Sequence, residues 1–113
     1  MRSFSDKPFT ALYGCLVRLH ILHHAARQPI AHPWIVEELA QHGYKLGSRT
    51  LSAMLRELER NGYLRSERGR SGRVTSRTYQ ATTRGAQALE DAKSKVRELF
   101  LEIFEPKAHI FKD

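Results

Sequence analysis

The chain has 113 residues, of which 41% are hydrophobic and 27% charged, a composition typical of one folded domain and not of a disordered segment. Its one cysteine, Cys15, excludes an intrachain disulfide framework. The sequence shows neither a signal-peptide pattern nor an apolar run long enough to span a membrane. We therefore expect a protein of the reducing cytoplasm without a membrane partner.

The first half of the chain has helical periodicity. After a flexible N-terminus over residues 1–8, a helix is predicted from Phe9 to Arg27, because apolar residues recur there at three- and four-residue spacing: Leu12, Leu16, Leu19, Leu22 and Ala26. A turn at Gln28–His32 follows. Pro33 suits the first turn of a second helix, because it lacks an N–H that would find no helical partner there. This helix is expected to bury Ile35, Val36 and Leu39.

A third helix is predicted to start at Ser48, a suitable N-cap, and to stop at Asn61 and Gly62. Its buried stripe is expected to contain Leu51, Met54, Leu55 and Leu58. The second and third helices are short and are joined by Gln41–Gly47, in which Gly43 and Gly47 permit a tight connection. This spacing is typical of a helix-turn-helix.

Beyond Gly62 the pattern changes to two strands, Tyr63–Arg68 and Val74–Ala81, around a hairpin tip at Gly69–Arg73. A hairpin directly behind a helix-turn-helix is a wing. The predicted fold is therefore mainly α with a small β-hairpin. It divides into a winged helix-turn-helix over residues 9–82, a C-terminal helix over residues 83–104 and a tail over residues 105–113.

The C-terminal helix, capped by Thr82 or Thr83, would span about 33 Å over its 22 or so residues. Because this is longer than so small a domain can cover, its apolar stripe is expected to meet a second subunit. The alternative is that the helix folds back over its own core. The predicted homodimer interface consists of Leu89, Ala92, Val96, Leu99, Phe100 and Ile103.

The basic charge is concentrated in one part of the chain. The segment from Lys45 to Arg84 holds ten cations and three anions, an excess equal to the net charge of +7 of the whole chain. Nine of these ten cations are arginines, whose planar guanidinium suits two-point contacts with phosphate or guanine. The segment is therefore a candidate DNA-binding surface, and the alternative is a solvated basic face.

Several motifs in this order resemble the PadR family of bacterial transcriptional regulators. They are Gly43-Tyr44-Lys45-Leu46 leading into Thr50-Leu51, then Leu55, Leu58-Glu59 and Asn61-Gly62-Tyr63-Leu64, followed by Gly72-Arg73 and by Tyr79-Gln80-Ala81-Thr82-Thr83-Arg84-Gly85 with Leu89. The resemblance covers Leu12 to Phe104. It implies a winged helix with a C-terminal dimerisation helix, a pseudo-palindromic operator and release by a small-molecule effector or a stress signal.

Two positions depart from that family pattern. Ser52-Ala53 follow the Thr-Leu pair where the family usually has Tyr-Pro, and His32-Pro33 open the second helix where it usually has Gly-Tyr. The first departure removes an aromatic side chain that is expected to touch the DNA backbone.

The second helix of a helix-turn-helix enters the major groove. Arg49 is the first choice for reading a guanine and Arg56 for binding a phosphate, whereas wing arginines are expected to reach the flanking backbone or minor groove. The alternative for Arg60 is an ion pair with Glu57 or Glu59. The predicted DNA-binding residues are Ser48, Arg49, Thr50, Ser52, Arg56, Arg70, Arg73 and Arg77.

Other side chains suggest weaker hypotheses. His20, His23 and His24 have helical spacing suited to metal ligands, but no further ligand is evident and no metal or other cofactor is predicted. Cys15 lacks a resolving partner for a redox role. An effector pocket at the dimer centre would use Tyr13, Trp34 and Phe100. No catalytic set is found, so an enzyme is not expected. The alternative function is a winged-helix adaptor that binds protein.

Overall fold

The computed structural model describes residues 6–71 and 74–105, together with the side chains of residues 12–69 and 76–105. Within these ranges the helices are α1 (Asp6–Ala25), α2 (His32–Gln41), α3 (Ser48–Arg60) and α4 (Thr83–Phe104). The strands are β1 (Ile30–Ala31), β2 (Leu64–Ser71) and β3 (Val74–Ala81). This order confirms the predicted winged helix-turn-helix with a long C-terminal helix. None of the helices in these ranges combines the length and the apolar character needed to cross a membrane.

The core lies where the first three helices meet the sheet. Ile21 of α1 and Ile35 of α2 are almost fully buried there, and Leu64 of β2 closes the core from the side of the sheet. The stripe predicted for the third helix is confirmed, because the buried residues of α3 are Leu51, Met54, Leu55 and Leu58.

Helix α1 is apolar on two faces. Its bounds differ from the predicted Phe9 to Arg27, and most of the predicted stripe lies outside the core: Leu12 is 70% exposed and Leu16 is 44% exposed. Of the predicted stripe, Leu22 is buried in the core, and the other core residues of α1 are Val17, Ile21 and Ala25. Both faces satisfy three- and four-residue spacing, so periodicity detected a helix without showing which face is inside.

The sheet has the strand order β1-β3-β2, and both pairs are antiparallel. Strand β1 was predicted as part of a turn. Its two residues pair with β3 through the registers Ile30↔Tyr79 and Ala31↔Thr78, and the side chain of Ile30 is buried. Strand β2 is longer than predicted and continues to Ser71. A strand of two residues has no periodicity, which is why the sequence pattern did not reveal it.

Helices α2 and α3 end in the same way. After α3, the N–H of Gly62 donates to the carbonyl of Glu59 and that of Tyr63 donates to the carbonyl of Leu58, which is a Schellman motif with Gly62 at φ 84°. After α2, the corresponding bonds are Gly43 to Ala40 and Tyr44 to Leu39, with Gly43 at φ 89°. Only glycine adopts such backbone angles at little cost.

The start of α3 differs from the prediction. Gly47, not Ser48, is the N-cap, and no side chain caps this end. Ser48 is therefore the first helical residue. Gly47 has φ −68°, an angle open to any residue, so Gly43 alone needs a glycine in this connection.

The start of α4 is bonded to the end of α3. Thr82, one of the two predicted caps, accepts from the N–H of Gly85 at 2.9 Å, and its hydroxyl donates to the carbonyl of Gly62 at 2.6 Å. The N–H of Thr82 also donates to the carbonyl of Tyr63 at 3.0 Å. Gly85 is buried against the same carbonyl.

We expect Gly85→Ala to lower the free energy of unfolding by about 1–3 kcal/mol, because a β-carbon there would overlap the backbone carbonyl of Tyr63. Urea denaturation followed by circular dichroism measures this change. Gly69→Ala is the matched control, since a β-carbon at Gly69 would make only ordinary contacts at 4.0 Å. Equal stability of the two variants would contradict the expectation.

Candidate nucleic-acid interface

Helix α3 separates an apolar face from a polar one. Opposite its four buried residues, Ser48, Arg49 and Arg56 are exposed, whereas Thr50 and Ser52 are half-buried. Ser48, Ser52 and Arg56 follow at four-residue intervals and therefore line one side of the helix. Arg49 is next to this side, whereas Thr50, two residues from both Ser48 and Ser52, lies on another side. The structure thus brings together four of the five residues predicted on this helix.

An ion pair joins α3 to α1. Nη2 of Arg18 donates to Oε1 of Glu57 at 2.7 Å, and Nε of Arg18 donates to the same oxygen at 3.2 Å. This contact, which the sequence analysis missed, links residues that are 39 positions apart. No local pattern could have shown it.

Side chains of the wing, which is formed by β2 and β3, are hydrogen-bonded to α3. Nη1 of Arg77 donates to the hydroxyl of Ser66 at 2.8 Å, and that hydroxyl donates to Oε2 of Glu59 at 2.7 Å. Arg77, predicted as a DNA contact, is exposed and is held within this chain of bonds. Arg65 is likewise held by Gln80 at 3.0 Å.

These contacts also settle the alternative for Arg60. Among the described side chains, Glu57 is paired with Arg18 and Glu59 is bonded to Ser66, so neither is bonded to Arg60 as that alternative required. For Arg70 and Arg73, the two other predicted wing residues, no side-chain contacts are described. The side chain of Arg70 and the whole of Arg73 lie outside the described residues.

Histidines gather around a glutamate where α1 meets α2. Nε2 of His42 lies 3.1 Å and Nε2 of His24 lies 3.4 Å from Oε2 of Glu38. The ring centroids of His20 and His42 are 4.8 Å apart, and the rings of His23 and His24 are also in contact. The sequence pattern pointed only to the α1 histidines and did not reveal Glu38 of α2 or His42, which follows the end of α2. No three such groups among the described residues are placed to hold a metal ion.

Burial lowers the pKa of His20 and of His24 from the usual value. The nearby His42 adds to this effect at His20 and His23 adds to it at His24, whereas Glu38 opposes it at both. These residues form the histidine cluster, meaning His20, His24, Glu38 and His42. Within it, the surroundings of His20 and of His24 favour the neutral imidazole.

A groove of about 600 Å³ lies between α1 and α4. Leu16 and Leu19 line it from α1, and Leu89, Val96 and Phe100 line it from α4. Of the predicted interface residues, Leu89 and Ala92 are half-buried, and Leu89 packs against the core of its own chain. The remaining four are exposed, including Leu99 at 55% and Ile103 at 56%: Val96, Leu99, Phe100 and Ile103.

The three aromatic residues predicted to share an effector pocket do not meet within one subunit. Tyr13 packs near Tyr44, and Trp34 packs on His24. Phe100 packs on Phe104 and is the member of the trio that borders the groove between α1 and α4.

The comparison with protein families agrees with this architecture. Residues 21–91 match the family described as the PadR-like family of transcriptional regulators. The chain belongs to this family. The transcriptional regulator Rv3488 of Mycobacterium tuberculosis is 39% identical over 93 residues, which cover 82% of this chain and 87% of that protein. PadR-family members are transcriptional regulators, in agreement with the prediction that the chain is not an enzyme.

Solved PadR-family structures have the same fold. A regulator from Eggerthella lenta superposes with a TM-score of 0.71 at 24% identity, covering 93% of this chain and 96% of that one. Bacillus subtilis PadR, solved in complex with operator DNA, superposes with a TM-score of 0.61 at 12% identity over 79% of this chain and 59% of that one. At these identities the superpositions show the fold.

The lowered pKa values of His20 and His24 predict an acid-sensitive fold. Unfolding returns each imidazole to a pKa near 6.5, so at lower pH the unfolded chain binds more protons than the folded one. The stability that these two neutral imidazoles contribute is complete above pH 6.5. It is lost as the pH falls through their lower pKa values in the folded chain. We expect His20→Gln/His24→Gln to show a smaller drop in melting temperature between about pH 7.5 and pH 5.5 than the unmodified chain.

Glu38→Gln provides the control of opposite sign. Because the carboxylate raises both pKa values, its removal should lower them further and steepen the loss of stability on acidification. Parallel melting curves for all three proteins would show that the histidine cluster does not set the acid response.

Proposed function

We propose that this regulator binds a pseudo-palindromic operator as a homodimer and represses transcription in the cytoplasm. The observation that supports this most is the division of α3 into a buried apolar stripe and an exposed face with Arg49 and Arg56. A recognition helix needs both faces, one to pack on the domain and one to enter the major groove. Bacillus subtilis PadR, which has the same fold, is solved in complex with operator DNA, and this supports a DNA-binding function.

The electrostatics of α3 favour the same function. Its two carboxylates, Glu57 and Glu59, are already bonded to Arg18 and Ser66. Among the described side chains Arg49 and Arg56 form no ion pair, so their charge is available to phosphate or to a base. We assign Arg49 to a guanine and Arg56, with Ser48, Thr50 and Ser52, to positioning contacts.

The dimer is supported by the exposed apolar residues of α4. An exposed stripe of this kind usually marks an interaction surface, and it continues across the groove onto the outer face of α1. A two-fold axis through this surface would bury the same residues of both subunits. A groove that is closed by the partner could also hold the small-molecule effector that family resemblance implies.

We expect Arg49→Ala to weaken binding to the operator by about 1–3 kcal/mol, because a guanidinium that reads a guanine contributes about that much discrimination. The duplex is first selected from a random library with the unmodified protein, and its affinity is then measured by fluorescence anisotropy beside a scrambled duplex. An equal loss on both duplexes would make Arg49 a phosphate contact. Selection of no duplex would favour the protein-binding adaptor.

The wing is tested with the same duplexes. If Arg70 and Arg73 each neutralise one phosphate in both subunits, their replacement by alanine should make the log-log salt slope shallower by roughly 3.6, about 0.9 for each phosphate. The loss should be alike on both duplexes, because phosphates do not encode the sequence. An unchanged slope would remove these two residues from the interface.

We expect Leu99→Asp/Ile103→Asp to yield a monomer in sedimentation equilibrium while the unmodified chain sediments as a dimer. The added charges would be buried unpaired at the interface, which is costly. Ser94→Asp is the matched control, because Ser94 is exposed about half a turn around α4 from Ile103. An unmodified chain that is monomeric at tens of micromolar would contradict the dimer.

A further inference from the structure

One histidine lies beside the exposed face of the recognition helix. Nε2 of His32, the first residue of α2, is 3.3 Å from the hydroxyl of Ser52 in the middle of α3. Both side chains are half-buried. Ser52 lies between Ser48 and Arg56 on one side of α3, so His32 borders that side from the neighbouring helix.

The backbone at His32 is held in place by the strand that precedes it. His32 directly follows β1, in which Ile30 and Ala31 pair with Tyr79 and Thr78 of β3. The buried side chain of Ile30 anchors this short strand in the core. The imidazole is therefore attached to a constrained point between the sheet and α3, and Ser52 bonds it there.

The bond to Ser52 also fits one tautomer of the ring. A hydroxyl can donate to Nε2 when the ring proton is on Nδ1, and Nδ1–H is then a donor for a second group. Such a donor at the edge of a basic face matches a phosphate oxygen, which only accepts hydrogen bonds. A carboxylate of the protein would match equally well, but the carboxylates of α3 are bonded to Arg18 and Ser66.

We propose that His32 is a further DNA-backbone contact, which replaces the direct phosphate contact assigned to Ser52. The one proton of the Ser52 hydroxyl is directed at His32, and the ring is held so that its second nitrogen donates to a phosphate at the edge of the major groove. The proposal rests on the proposed function of α3 as the recognition helix. In a helix-turn-helix the first helix crosses the backbone while the second enters the groove, and His32 lies where these two helices meet. A phosphate contact at this point sets the register of α3 without reading a base.

The test uses the full chain, the duplex selected with the unmodified protein and its scrambled version. His32→Ala should weaken binding to both by about tenfold for each subunit, and so by about a hundredfold for the dimer, because each subunit loses a hydrogen bond to a charged group. His32→Arg should restore binding and steepen the log-log salt slope by about 0.9 for each subunit, because it adds a cation beside a phosphate. Because an added cation steepens the slope only where a phosphate is within its reach, an unchanged slope would place position 32 away from the DNA backbone.

The matched control is His42→Ala, which removes a histidine just past the other end of α2, about 15 Å along the helix. It should leave affinity and salt slope unchanged. Ethylation interference gives an independent reading: one phosphate in each half-site should stop interfering when His32 is alanine. Melting temperatures separate loss of contact from loss of fold.

The outcomes distinguish this proposal from the function on which it depends. Undiminished affinity of His32→Ala, or an unchanged slope of His32→Arg, would overturn the phosphate contact while the DNA-binding function stands. If the unmodified chain selects no duplex, both fail. If His32→Ala melts early but His32→Arg binds with the steeper slope, the contact is supported, because position 32 then lies within reach of a phosphate.

Discussion

The hydroxyl of Thr82 is the point on which the geometry of the whole chain depends. It accepts from Gly85 at the start of α4 and donates to Gly62 at the end of α3, so one side chain bonds the two helices to which we assign dimerisation and DNA binding. The lack of a side chain at Gly85 allows the backbones to approach. Because the junction is short and doubly bonded, the direction in which α4 leaves the domain is fixed relative to α3. In a two-fold dimer, that direction determines the separation of the two recognition helices.

Helix α3 is also held along its sides. Arg18 bonds Glu57 from α1, and Ser66 bonds Glu59 from the wing. The carboxylates of a basic helix thus serve to attach it to the scaffold, and the remaining charge on its exposed face is positive. Anchoring and electrostatics are linked at Glu57, because its charge is compensated by Arg18 and offsets less of the charge of the arginines that face outward. Glu59 is anchored by the neutral hydroxyl of Ser66 and keeps its charge. A site on a rigid element also keeps its contact geometry.

Much of this architecture could be predicted because it is local. The stripe of α3, the glycine at the end of that helix and the cap of α4 depend on residues within a few positions of one another. The predictions that failed concern features that depend on residues far away in the sequence. The inner face of α1 is chosen by what packs on it, β1 exists only through its pairing with Tyr79 and Thr78, and the histidine cluster needs Glu38 from another helix. Ser48 was misplaced as a cap because a glycine one residue earlier can begin a helix without a side-chain bond.

The two departures from the family pattern illustrate the same limit at the candidate site. Judged separately, Ser52 is the loss of an aromatic side chain from α3, and His32 is an unrelated change at the start of α2. In the folded chain, which brings together positions 20 residues apart, they contact each other. A serine leaves room beside α3 that a tyrosine would fill, and an imidazole from the adjacent helix lies next to it. The face of α3 is therefore best regarded as a surface built from two helices, whose chemistry is evident only when both are considered together.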